Sequence, residues 1–303
     1  MTAFSTFFRQ VASLAVLVFV TSSMLNVGLT QRPSMIREHL TNWHYLTRMV
    51  LVNLIVVPAL TVFAPALVPL EPAYATGLLL FGTCAGAPFL IKLTAVSDNE
   101  IALGATVLTV LMAATVVTVP LLLPQLLKGI SVNAGAIAVP LLSQMFAPMV
   151  AGMVLTQFLE GVAGVIQPWV ARLSNLALYT VIVASLLGYL RAMTDPALWK
   201  AVVVGAAVLS LAFLVGYMMG DGHAHLKDVG GLSTAQRGAG AAMIVATSNF
   251  TDPRIFVTVN VLNTVGIILL ITAAKSLSRR NRVAVLEPVV ADHPGHDQTA
   301  EQD

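Results

Sequence analysis

Charge is what this sequence has least of. Only 10% of its 303 residues are Asp, Glu, Lys or Arg, against 57% apolar ones, and the mean hydropathy is +0.86. A water-soluble domain carries about 25% charge, so a folded chain of this composition has too few charged side chains to cover its surface in water. That excludes a soluble enzyme and a nucleic-acid binder. Cysteine is nearly absent as well. Cys84 stands alone, which excludes a disulfide scaffold and any multi-cysteine metal site. Lying in an apolar run, Cys84 reads as a small packing residue rather than a redox group. The sequence also has no phosphate-binding loop, zinc-hydrolase helix or nucleophile elbow, so neither ATP-driven transport nor enzymatic chemistry has support, and no organic cofactor or metal is called for.

What is abundant is uninterrupted apolar sequence. Charge-free runs cover 10–31, 49–70, 72–91, 101–127, 129–159, 173–190, 201–220 and 255–274. Each is long enough for the roughly 17–25 residues that a helix needs to cross a bilayer. The expected fold is an all-α polytopic membrane protein. Nine transmembrane helices are expected, at about 10–30, 46–66, 73–96, 100–126, 133–158, 165–190, 198–220, 228–249 and 254–275. Arg9 ahead of an apolar run gives the first a signal-peptide look, but no small-x-small site closes it, and it reads as a membrane helix. With nine helices, one side collects Arg32, Arg37, Arg48, Lys227, Lys275, Arg279, Arg280 and Arg282, and the other Arg9, Lys128, Arg191, Lys200 and Arg254. The richer side is expected in the cytoplasm, with the N-terminus outside and the C-terminus inside a cell membrane. The stretch 276–303 turns polar and acidic and reads as a disordered cytoplasmic tail after a single transmembrane domain, 1–275.

Two segments break the apolar monotony. Residues 81–94 contain Gly82, Gly86 and Pro88 and then Lys92; residues 230–240 contain Gly230, Gly231, Gly238 and Gly240 around Ser233, Thr234, Gln236 and Arg237. Proline and glycine weaken a helix, and unwound backbone inside a membrane survives only against protein or a water-filled cavity. Helix breaks are expected at Gly86 and Pro88 and at Gly231 and Gly238. After each comes a short polar turn, Ser97 to Glu100 or Asn249 to Arg254, then a helix carrying Thr106, Thr109, Thr115 and Thr118 or Thr258, Asn260, Asn263 and Thr264. The plan of 10–126 therefore repeats in 165–275, inverted, with a linking helix at 133–158. Paired interrupted segments in two inverted halves point to the binding site of a secondary transporter. The plainer alternative is that small residues only let helices pack closely.

These residues resemble a known family. Gly28-Leu29-Thr30 with Arg32-Pro33 beyond, Asn53 before Pro58, the Gly86-Ala87-Pro88 break, Ile101-Ala102-Leu103 and Thr234-Ala235-Gln236-Arg237 together look like the bile acid:sodium symporter family, over about residues 11–275. The resemblance implies a nine-helix form with two crossing discontinuous helices, alternating access, and a small organic anion as substrate. It also implies a cation site in which Gln236 matches a sodium-coordinating glutamine, and Asn53 and Thr234 stand where further oxygen ligands are expected. Two departures bear on this site. Leu232 occupies the position where many members carry a glutamate, and apolar Phe89 to Ile91 replace a polar pair. Losing a carboxylate removes a ligand and the compensating charge, which argues against the usual sodium coupling. Na⁺ and H⁺ are the candidate coupling ions.

The remaining polar residues within spans suit an anion. Lys92 and Arg237 are intramembrane positives, functional by default, and no membrane-embedded carboxylate offsets them. Lys92 alternatively snorkels to the interface, and Arg237 alternatively pins the broken helix. Asn175, Asn260 and Asn263 are candidate cavity residues, while Arg172 reads as a snorkelling interface residue. Asp221, His223 and His225 look like a metal cluster but fall in a loop and read as solvated. A rival reading is a non-transporting ligand sensor on the same fold, which saturable uptake would distinguish.

Overall fold

A computed structural model describes residues 3–31, 39–127, 133–220 and 222–291, and the side chains among them except at Ala3, Arg191 and 283–291. Arg32, Arg37, Lys128, Asp221 and the tail beyond Ala291 lie outside the described residues. Within them the chain is all helix: α1 (Ala3–Thr30), α2 (43–67), α3 (Pro72–Thr83), α4 (Phe89–Val96), α5 (Ile101–Leu126), α6 (134–158), α7 (Glu160–Gly188), α8 (Leu190–Met193), α9 (Pro196–Met218), α10 (Ala224–Ala235), α11 (Ala239–Asn249) and α12 (Pro253–Ala291). Seven are long and apolar enough to cross a membrane. The other two apolar segments are each interrupted, α3 from α4 and α10 from α11. Large apolar side chains point outward on the long helices, among them Phe63, Leu67, Phe158, Trp169 and Leu176. In water such a belt would be a liability, and in a bilayer it is the contact surface.

The helices sort into two groups. α1 lies along α7 and α6, whereas α9 packs on α10 and α12 on α3. Two helices carry a π turn, at Val52–Val56 in α2 and Leu142–Phe146 in α6. Each π turn is followed by a proline, Pro58 or Pro148. In α2 the Val57 N–H reaches back to the Val52 carbonyl. The next N–H in that pitch would serve Asn53, but Pro58 has none to give. The carbonyl of Asn53 is left free for another donor.

Two boundaries differ from the sequence expectation. The second break falls at 236–238, not at Gly231, which lies inside α10. A Cβ on Gly231 would stand 3.0 Å from the Phe213 ring, so this glycine serves helix packing against α9. The last helix does not end near 275. It runs on to Ala291, because its polar residues find partners. Arg280 pairs with the buried Asp228 at 2.6 Å, Asn281 bonds the same carboxylate and the Ser97 carbonyl, and Arg282 and Ser278 hold Asp98.

Candidate functional site: the crossing of two broken helices

The two breaks meet. Ala85 and Arg237 form an isolated antiparallel bridge, and the Gly238 N–H donates to the Cys84 carbonyl at 2.9 Å. Gly86 has φ +75, which only glycine adopts without strain, and a Cβ on Gly238 would lie 2.9 Å from the Gly86 carbonyl oxygen. Unpaired backbone in a membrane costs several kcal/mol per group, about 2 at least, and α5 supplies a partner. The Thr115 hydroxyl accepts from Ala85 N–H at 3.0 Å and donates to its carbonyl at 2.9 Å. Pro88 sits just ahead of α4 as its N-cap, where a missing N–H costs nothing.

The geometry divides the crossing electrostatically. The C-termini of α3 and α10 end there, and a helix C-terminus carries free carbonyls and partial negative charge. Arg237 occupies that side, buried to 1% exposure. Its guanidinium donates to Gly82 O at 2.6 Å, Thr234 O at 3.1 Å, Asn53 Oδ1 at 2.7 Å and Asn53 O at 3.3 Å. Asn53 is held by two further bonds, from its Nδ2 to Met49 O at 2.9 Å and to Thr234 Oγ1 at 3.2 Å. The residues expected as cation ligands, Asn53 and Thr234, thus spend their oxygens on Arg237 or on each other.

The opposite side faces a cavity of about 360 Å³. Its far wall is α1 and α7, and its near wall is Ala87 to Phe89, Gln236, Ala239 and Gly240 together with Asn263 of α12. The N-termini of α4 and α11 therefore open onto it, bringing partial positive charge. Among the described lining residues Lys92 is the one that carries a charge. Its ammonium lies 5.9 Å from the Phe89 ring centroid, and no described carboxylate pairs with it. Asn175 and Asn263 line the same space, as does Gln236, whose Oε1 is buried and has no partner. Two expected substrate residues do not line it. Asn260 is buried elsewhere in α12, and Arg237 lies behind the crossing.

Of the far wall, sequence reasoning found Asn175 and missed the other polar residues. Ser23, Asn26 and Thr30 of α1, and Gln167 and Ser174 of α7, line the cavity, with Gln167 Nε2 bonded to Asn26 Oδ1 at 3.0 Å. Their helical spacing was the available signal. Of the residues expected in a loop, His223 is the N-cap of α10 and His225 lies in its first turn; they lie with His39, Asn42 and Glu100 around a separate space of about 280 Å³, and no described group of three acids, histidines or cysteines is placed to hold a metal.

Comparison with known proteins fits this arrangement. The Sodium Bile acid symporter family matches residues 15–194, more than half of the chain. The chain belongs to that family. One relative is the "Probable sodium/metabolite cotransporter BASS1, chloroplastic" of Arabidopsis thaliana, 26% identical over 246 residues covering 78% of this chain. The chain spans about 60% of that relative's length. The family and the seven long apolar helices together make it a multi-pass membrane protein.

Proposed function

We propose that the protein is a secondary transporter of a small organic anion, working by alternating access at the cavity between the two helix groups. The observation that carries this reading is the charge on the cavity wall: Lys92 and two helix N-termini, with no carboxylate among the described lining residues. A carboxylate or sulfonate head is suited to the near wall, with Gln236 and Asn263 as hydrogen-bond partners there and Asn175 facing it from α7. Phe19, Val20, Met24, Val27, Leu178 and Ile267 offer its carbon skeleton an apolar surround, the usual make-up of a small-molecule site.

The proposed architecture is nine membrane passes in two inverted halves, 10–126 and 165–275, joined through 133–158. The excess of Lys and Arg supports a cytoplasmic C-terminus in a cell membrane, and the cavity would then open inward. The relative's printed name speaks of sodium and a metabolite. In this chain Leu232 is apolar and fully buried, and Asn53 and Thr234 are engaged by Arg237, so the residues do not fit a sodium ion of the usual kind. Proteoliposome uptake tests the reading: saturable accumulation of an organic anion, reduced at least tenfold in Lys92→Gln, supports it. Saturable binding without uptake would favour the sensor instead.

A further inference from the structure

We infer that Arg237 is the resident cation of the crossing: its guanidinium fills an oxygen cage that would otherwise take a free metal cation, so this protein needs no sodium there. The cage consists of the four oxygens at 2.6–3.3 Å from the two terminal nitrogens of Arg237. Each is free for a reason built into the chain. Gly82 and Thr234 lie in the last turns of α3 and α10, where carbonyls have no helical partner. The Asn53 carbonyl is released by the π turn and Pro58. The Asn53 amide is turned by its bonds to Met49 and Thr234 so that its oxygen faces the cage.

Four converging uncharged oxygens at the negative ends of two helices form a site for a positive charge. Left empty in a low-dielectric interior, they would repel one another and lack donors. A hard metal ion competing for the cage would share its oxygens with a guanidinium and meet like-charge repulsion. No described carboxylate stands at the cage to offset a second charge: Leu232 is the apolar neighbour on α10, and Asp228, the buried acid on that helix, is bonded by Arg280, Asn281 and Asn99. A guanidinium buried without an acid is costly unless its donors are met. Here both terminal nitrogens are met twice and Nε alone is left without a partner, so the cage is what makes the buried charge of Arg237 tolerable. Anion movement then proceeds with its cation fixed to the protein, and the sodium gradient supplies no drive through this site.

The test is thermal stability of the purified protein in sodium chloride and in choline chloride at equal ionic strength, which needs no substrate and stands whether or not the transport reading holds. The wild type should melt within about 1 °C in the two salts, since a ligand that binds only the folded state must raise the melting point. Arg237→Ala should melt lower and regain roughly 5 °C in millimolar guanidinium or in sodium, but not in choline. Arg237→Lys keeps a charge in the cage and should remain indifferent to sodium. A saturable sodium-specific rise in the wild type overturns the inference, as does an Arg237→Ala protein of wild-type stability that responds to neither cation. Should the alanine variant fail to fold, the wild type and Arg237→Lys decide: indifference to sodium in both supports the fixed cation, and a response in either overturns it.

Discussion

Replacing Gly238 with alanine adds one methyl group where the two breaks touch. A Cβ there would stand 2.9 Å from the carbonyl oxygen of Gly86, 3.1 Å from that of Ala85 and 3.4 Å from that of Cys84. All three are backbone atoms, so no side chain can rotate away and the two segments must part. Parting stretches the Gly238 N–H bond to Cys84, now 2.9 Å, and the Arg237 bond to Gly82, now 2.6 Å. A neutral hydrogen bond contributes about 1 kcal/mol net and one to a charged group about 1.5–3 kcal/mol. The expected loss is therefore about 2–4 kcal/mol. Gly240→Ala is the control, two residues away. Its Cβ would meet the end of the Val20 side chain at 3.1 Å, and alanine gains up to about 1 kcal/mol over glycine in a helix, so stability should change by less than about 1 kcal/mol. Thermal unfolding in detergent reads both: a fall of roughly 5 °C or more for Gly238→Ala, and little change for Gly240→Ala. Equal melting points for the two variants would refute the argument that the breaks are held in contact.

The other expectations concern the cavity and the far end of α12. Lys92→Gln should weaken anion binding about 10- to 100-fold without unfolding the protein, the scale of one charge-assisted bond. Asn175→Ala should weaken it less, about 2- to 10-fold by titration calorimetry. Arg280→Ala leaves Asp228 buried with only Asn99 and Asn281 as partners, and should destabilise by about 1–3 kcal/mol in denaturant or heat; Asp228→Asn in the same chain should restore part of that. Asp98 gives a pH expectation. Its carboxyl is held below the usual carboxylate range, first by the Arg282 guanidinium and then by the Ser278 hydroxyl. The tie is thus fully present above the ordinary carboxylate pKa of about 3.9 and is lost as the pH falls through the lower folded value. Hydrogen exchange of residues 278–282, corrected for its intrinsic pH dependence, should stay protected from pH 8 to 5 and loosen only below about pH 4. A step near neutral pH would contradict it.

How far the sequence spoke depends on whether a signal was local. The first break was legible because Gly86 and Pro88 act on their own backbone. Gly231 misled because a glycine inside a helix looks like a breaker, while its use here is to let α10 approach Phe213. Arg237 was recognised as unusual, but its partners other than Thr234 lie 155 and 184 positions away, and nothing near it in sequence says that it turns from the cavity toward Asn53 and Gly82. The reach of α12 past 275 was missed for the same reason. Arg279, Arg280 and Arg282 read as a charged tail until Asp98 and Asp228 are brought alongside. The polar stripe of Ser23, Asn26 and Thr30 was readable by helical spacing, since each faces the same cavity.

Uptake into proteoliposomes of a panel of labelled carboxylates, sulfonates, amines and neutral sugars tests the central claim most directly, run with the wild type and with Lys92→Gln. The account predicts saturable uptake of at least one small organic anion, at least tenfold weaker in Lys92→Gln and unchanged when sodium is replaced by choline. Saturable uptake of amines or sugars in place of anions, or anion uptake indifferent to Lys92→Gln, would contradict it.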